Sequence, residues 1–258
     1  MIASLPMYWR SETADLWQGF WAQVQAALPG LPDLPPPDRI TGALTTHWLR
    51  PDLALSMTCG LPLRSELRGR VTYVGTLGFG LRCAPGHYFS RIITRFPPHQ
   101  SRPERVILAV NSFDSHWGWA VTQQAAPFSA PLRVKCYVET GSHAASLAAV
   151  ARGQADVAYI DAITWRVLKR CDPLAQQVHL AGQSAAAPGL PLICAKGRDP
   201  APLRAALRDA VLQFQPRDPD AMGGPLGWHV LPLDSYLSQP MPAPPRQPVT
   251  HLAPRQQA

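Results

Sequence analysis

Arg133–Asp161, RVKCYVETGSHAASLAAVARGQADVAYID, reads as a strand, a small polar loop, a helix and a second strand. Arg133–Glu139 is the first strand and ends in Thr140-Gly141-Ser142-His143. Ser142 has the side chain of an N-cap for the helix Ala144–Arg152. Gly153 stands where the left-handed residue that ends a helix belongs. Ala155–Ile160 is the second strand, followed at once by Asp161 and the helix Ala162–Arg170. A period that switches between strand and helix in this way predicts an α/β protein.

The same alternation extends outward. Upstream, Val106–Val110 predicts a strand, then the polar loop Asn111-Ser112-Phe113-Asp114-Ser115-His116 and a helix from about Trp117 to Gln124. Nearer the N-terminus, Ile2–Leu5, Leu53–Met57, Val71–Gly75 and Tyr88–Thr94 read as strands. A helix capped by Ser11 runs to about Leu28, with Trp17, Phe20, Val24 and Leu28 at helical spacing. Thr41–Trp48 reads as a second, short helix. Downstream, Leu190–Cys194 is a strand, and Asp199-Pro200 opens an amphipathic helix with Leu203, Ala206, Leu207, Ala210, Val211 and Phe214 on one face.

The pattern restarts after the proline-bearing stretch Pro97–Glu104, which predicts two lobes. Residues 1–98 with 190–238 form the first and 103–184 the second, with crossings near Pro97–Glu104 and Gln183–Gly189. The tail 239–258 holds six of the 29 prolines. It is expected to be disordered and removable at little cost.

Composition excludes several classes. Of 258 residues 46% are apolar and 16% charged, and the net charge is +7. Three of the 24 basic residues are lysines (Lys135, Lys169, Lys196) and the rest are arginines scattered singly. Without a run of them, no nucleic-acid partner is expected. No apolar stretch is long enough for a membrane span. Cys59, Cys83, Cys136, Cys171 and Cys194 show no CxxC or CxxH spacing, so no metal site is expected. GxSxG, a Walker loop and HExxH are missing, and Gly75–Gly80 lacks the spacing and lysine of a phosphate loop. No catalytic residue and no cofactor is therefore assigned.

What the pattern does offer is anion binding. Asn111–Gly118 and Thr140–Ser146 each lead from a strand through small hydroxyl-bearing residues into a helix. That design points free N–H groups and the positive end of a helix dipole at a ligand. The second-lobe candidates are Ser112, Ser115, His116, Thr140, Gly141, Ser142, His143 and Asp161. For Asp161, helix capping alone is the competing explanation. In the first lobe, Tyr8 and the Cys59-Gly60-Leu61-Pro62 turn follow strand ends, and ligands of open α/β sheets sit outside such ends. Trp9 and Tyr88 are further candidates to line that cleft, with core packing as the alternative.

IASLPMY (2–8), LALSMTCGLP (53–62), NSFDSHWG (111–118), TGSHAAS (140–146) and VARGQADVAYID (150–161) together resemble the phosphate/phosphite/phosphonate ABC-transporter substrate-binding family. The last two segments carry most of that similarity. The resemblance implies a type II periplasmic-binding-protein fold: two lobes, each an open, mainly parallel sheet flanked by helices. A small tetrahedral oxyanion would lie between them, held by hydroxyls and helix N-termini of the second lobe, with His143 and Asp161 at positions the family uses. A monomer serving an ABC permease from the periplasm follows. The chain departs from the usual serine/threonine-rich loop at Ser112–Trp117, where Asp114 and Trp117 bear on which anion fits. Met1-Ile-Ala-Ser-Leu-Pro-Met has no basic n-region or apolar h-region, which sets a cytoplasmic location against the periplasmic one. Two alternatives stay open: an enzyme on the same fold acting on a carboxylate, like the dehydratase of chorismate, and a ligand-sensing module.

Overall fold

A computed structural model describes residues 1–97, 100, 103–124 and 132–252. In chain order the elements begin β1 (Ile2–Ser4), α1 (Ala14–Ala27), α2 (Leu44–Trp48), β2 (Leu53–Met57), α3 (Gly60–Arg64), β3 (Val71–Gly78), β4 (His87–Tyr88) and β5 (Ser90–Thr94). The middle of the chain gives β6 (Arg105–Val110), β7 (Arg133–Glu139), α4 (His143–Ala151), β8 (Val157–Asp161), α5 (Ala162–Cys171), β9 (His179–Gln183) and β10 (Ala187–Pro188). The last part gives β11 (Pro191–Ala195), α6 (Ala201–Gln213), β12 (Gly227–His229), α7 (Asp234–Leu237) and β13 (Val249–His251). They assemble into two compact units, Met1–His87 with Pro188–Gln239, and Tyr88–Ala187 with Pro240–Ala258.

The sheet of the first unit has the order β1-β2-β11-β3-β12. β1 and β2 are parallel. The returning strand β11 inserts antiparallel between β2 and β3, and β12 is antiparallel to β3, so this sheet is mixed. All five residues of β2 and of β11 are buried, as expected of continuous apolar strands covered on both faces. Helix α1 buries Trp17, Phe20, Trp21 and Val24. Its Phe20 meets Phe214, just past α6, edge-on at 5.8 Å.

The N-terminus of α1 differs from the expected one. Thr13, not Ser11, is the N-cap. The Thr13 hydroxyl donates to the Tyr8 carbonyl at 2.8 Å, whereas Ser11 is exposed and bonds only to Glu12. The glycines of Gly75–Gly80 also find their reason here. β3 runs through to Gly78, and a Cβ on Gly75 would stand 2.3 Å from the Trp228 ring. The missing side chain lets β12 lay its tryptophan across the strand.

The second sheet has the order β13-β7-β6-β8-β5-β9. β13, β7, β6 and β8 are mutually parallel, and β5 is antiparallel to β8 and β9. Its core packs Leu147 and Val150 of α4 and Trp165 and Leu168 of α5 against Ile93, Ala109, Ala158 and Ile160. Asp156 ties the sheet's lower edge. Its carboxylate accepts from Arg95 Nε at 2.7 Å and from the Ile107 N–H at 2.8 Å.

Three features depart from the sequence expectation. Ser90–Thr94, read with the first lobe, hydrogen-bonds to β8 and β9 in the second sheet, so the units divide at His87. The expected helix over Trp117–Gln124 is a single 3₁₀ turn, Ala120–Gln123. The tail is ordered over its described part. Val249, Thr250 and His251 pair with Tyr137, Val138 and Glu139 as a sixth, edge strand. The Gln123 side chain bonds twice to the Ala243 backbone, at 2.8 Å each, and Leu252 packs on the core. Proline is barred from a central strand but not from the approach to an edge strand, so its abundance here does not mean disorder. Residues 253–258 lie outside the described residues.

Removing everything after Gln239 deletes that strand and uncovers Tyr137. We expect the truncated chain to melt more than a few degrees below the full chain in a calorimetric scan. An unchanged melting temperature would mean that β13 contributes nothing to the fold.

Candidate functional site

β6, β7 and β8 run parallel, so their carboxyl ends lie at one edge of the second sheet. Val110 pairs with Glu139 there, and the Thr140 N–H donates to the Val110 carbonyl at 2.9 Å. Three loops therefore leave the same edge: Asn111–Gly118 after β6, Thr140–Ser142 after β7, and the start of α5 after β8. The register sets the segments that carry Ser112, Ser115, His116, Thr140, Gly141, Ser142, His143 and Asp161 at this one edge.

Their side chains divide by what already holds them. Thr140 is buried, and its hydroxyl lies 3.2 Å from the Val110 carbonyl, 3.1 Å from the Ser142 carbonyl and 2.7 Å from Ser146 Oγ. Its one proton is used within the loop. Ser142 caps α4 by accepting from the Ala145 N–H at 3.1 Å, which leaves its O–H as a donor. Ser115 is placed alike, accepting from the Gly118 N–H at 3.0 Å. Ser112 accepts from the Asp114 N–H at 3.2 Å, a local turn bond. Gly141 turns the chain at φ +84°, in the left-handed region that favours glycine. The first N–H groups of α4 have no acceptor within the helix. Asp161 is buried and caps α5, its Oδ1 accepting from Ile163 and Thr164 at 2.9 and 3.0 Å. His116 is also buried, edge-on to Trp117 at 4.6 Å.

His143, the first residue of α4, is half-buried. Burial lowers its imidazole to about 4, against a hydrogen bond to the Tyr159 backbone that favours the cation. It is therefore neutral at neutral pH. Its Nδ1 is buried with no hydrogen-bond partner among the described residues, and so are Trp117 Nε1 and Asn111 Oδ1. Buried polar atoms without partners are uncommon, and three in one loop cluster call for an explanation. Gly118 joins two of them. A Cβ there would stand 1.7 Å from Asn111 Oδ1 and 3.3 Å from His143 Cε1. Asn111 and Gly118 were not singled out by sequence reasoning, and Trp117 only as a departure that bears on which anion fits. All three lie in the quoted NSFDSHWG segment, but only packing reveals unpartnered atoms.

In the first unit, Tyr8 is buried, stacked on Trp17 with ring centroids 6.4 Å apart and edge-on to Phe79 at 5.3 Å. Cys59 is the N-cap of α3, and Gly60 is its buried first residue, so the expected turn is a short helix. Trp9 is half-buried, and Tyr88, of the second unit, is fully buried and stacked on Trp117 at 5.9 Å. One pair in the first unit has the chemistry of a nucleophile and its base: Ser4 Oγ lies 2.8 Å from His47 Nε2. Ser4 is only 1% exposed and also bonds Ser56 Oγ at 2.7 Å, so the pair is a polar link inside the core. Among the described residues no cluster of His, Cys, Asp or Glu could hold a metal ion. No described helix is long and apolar enough to cross a membrane.

Residues 130–224 match the family model of the ABC-transporter phosphonate periplasmic substrate-binding proteins. No curated protein matches the chain. Solved structures do. PhnD1 of Prochlorococcus marinus in complex with methylphosphonate superposes with a TM-score of 0.65 at 11% identity, covering 92% of this chain and 94% of its own. A binding-protein component of a phosphonate ABC transporter from Pseudomonas aeruginosa gives 0.61 at 14%, covering 92% and 82%. MatC from Rhodopseudomonas palustris, with bound malate, gives 0.56 at 15%, covering 92% and 96%. At such identities the likeness is one of fold. The matched family consists of binding proteins of transport systems, not enzymes. The chain has the type II periplasmic-binding-protein fold, and its residues 130–224 carry the sequence pattern of the phosphonate substrate-binding family.

Proposed function

We propose that this protein is a solute-binding protein that captures a small oxyanion, a phosphonate, phosphite or phosphate, at the edge formed by β6, β7 and β8, for an ABC permease. One observation carries the reading: His143 Nδ1, in the first residue of α4, is buried without a hydrogen-bond partner, and the loop after β6 approaches that ring at Gly118. An anion there meets free helix N–H groups, the positive end of the helix dipole, and the hydroxyls of Ser115 and Ser142. These donors replace its water shell with fixed groups. The match over residues 130–224, which includes α4 and the whole Thr140–Ser146 loop, supports a phosphorus oxyanion over a carboxylate. A periplasmic location goes with that reading.

Titration calorimetry of the full chain with phosphate, phosphite, methylphosphonate, sulfate and chorismate tests the proposal. One phosphorus oxyanion should bind saturably. A hydrogen bond to a charged group contributes roughly 1.5–3 kcal/mol, so Ser115→Ala, Ser142→Ala or His143→Ala should each weaken binding about tenfold to a hundredfold. Unaltered affinity in the triple variant would remove the site, and turnover of chorismate would move the protein to the enzymes.

A second expectation concerns pH. The folded chain holds His143 neutral down to about pH 4, whereas in the unfolded chain it titrates near its ordinary 6.5. A lowered histidine pKa gives stability that is present above the unfolded value and lost as pH falls through the folded one. The ligand-free protein should lose on the order of 3 kcal/mol on this account between neutral pH and about pH 4. Denaturant melts of the wild type and His143→Gln check it: between neutral pH and about pH 4 the wild type should lose stability relative to the variant by about that amount. Parallel curves would mean that His143 is not held neutral.

A further inference from the structure

We infer that the C-terminal segment Pro240–Leu252 belongs to the capture device: it braces both the loop after β6 and the loop after β7, so that docking of the tail and binding of the oxyanion strengthen each other. The inference rests on the anion-capture reading above and concerns what holds that site in shape.

The segment meets the second sheet at three places, each a short step from an anion loop. The first is Gln123. Its side-chain amide clasps the Ala243 backbone, donating to the carbonyl and accepting from the N–H, both at 2.8 Å. Gln123 closes the 3₁₀ turn Ala120–Gln123, which is hydrogen-bonded back onto the loop after β6. There the Ala120 N–H donates to the Ser115 carbonyl at 3.1 Å and the Val121 N–H to the His116 carbonyl at 3.0 Å. The second place is Tyr137. Its N–H donates to the Pro248 carbonyl at 2.9 Å, and its carbonyl accepts from the Thr250 hydroxyl at 3.2 Å. Its ring meets Phe113 of the loop after β6 edge-on at 6.0 Å, and Trp119 at 5.2 Å. The third place is Glu139, the residue before Thr140. Its carbonyl accepts from the Leu252 N–H at 3.0 Å, and its carboxylate lies 3.0 Å from His251 Nδ1. The His251 side chain is 72% exposed, so that ion pair adds little and the backbone bonds carry the docking.

One segment therefore holds the loop after β6 through Gln123 and Phe113, and the loop after β7 through Glu139. None of these three residues is among the ligand's proposed donors, so the brace acts by position. Five of its residues, Pro240, Pro242, Pro244, Pro245 and Pro248, are proline. A fixed φ leaves the undocked chain less freedom to lose, which lowers the entropy cost of docking a stretch with few large apolar side chains. A site made of oriented N–H groups and hydroxyls gains affinity when its loops are held in place before the ligand arrives. Linkage makes the effect reciprocal: a ligand that favours the braced loops favours the docked tail by the same factor.

Amide hydrogen exchange of the full chain, with and without saturating phosphate or methylphosphonate, reads this coupling without any substitution. Either ligand should slow exchange of the Tyr137 and Leu252 amides about tenfold more than that of the β9 amides, at the opposite edge of the same sheet. Equal slowing at both edges, as general stabilisation by a ligand gives, or no slowing at the tail would overturn the inference. Titration calorimetry then compares the full chain with one ending at Gln239, its fold checked by circular dichroism. Truncation should weaken phosphate binding about tenfold or more. An unchanged Kd would sink the inference and leave anion capture standing. If neither anion bound the full chain, the capture reading itself would be lost, and this inference with it.

Discussion

Because β6 lies between β7 and β8 and runs parallel to both, three chain segments distant in sequence leave the second sheet at one edge. A parallel pair cannot be joined by a tight turn, so each strand must be followed by a loop and a crossover. The loops then carry whatever the sheet presents. Here they carry a helix N-terminus at His143, a capped helix at Asp161 and the compact turn Asn111–Gly118. Gly118 sets how closely the first and third of these approach, since any side chain there would overlap Asn111. Were the register of β6 on β7 to shift by one residue, every inward side chain would face the other way and the cluster would not form.

The electrostatics of this edge come from fixed dipoles and hydroxyls. His143 is neutral, and Asp161 gives its Oδ1 to the α5 backbone. Such a site can hold an anion without a formal counter-charge, because the N–H groups of α4 are already oriented and need no reorganisation when the ligand arrives. It also makes recognition depend on the exact supply of donors and acceptors.

Much of this was legible in the residue pattern. The bounds of β7 and the capping of α4 by Ser142 follow from local chemistry, as does the glycine that ends the helix, Gly153 at φ +71°. The return of Leu190–Cys194 to the first sheet was legible from the single late amphipathic helix that follows it. What was not legible depended on long-range pairing. Ser90–Thr94 is as good a strand in either sheet, and only its partners decide. Val249-Thr250-His251 sits among prolines that look like disorder, yet its β-branched residues suit an edge strand. Asp156, within the quoted VARGQADVAYID, proved to be a structural clasp between Arg95 and the Ile107 backbone. The unpartnered atoms of Asn111, Trp117 and His143 could not be foreseen at all. Whether a buried polar atom finds a partner is a property of packing, and no spacing rule encodes it.

Amide NMR of the isotope-labelled full chain, titrated with methylphosphonate, tests the central claim most directly. The account predicts that the largest shifts fall on the N–H groups of Gly141 to Ala145 and of Ser115 to Gly118, with the Trp117 indole N–H moving alongside them. Saturable binding that leaves those amides and that indole unmoved would contradict it.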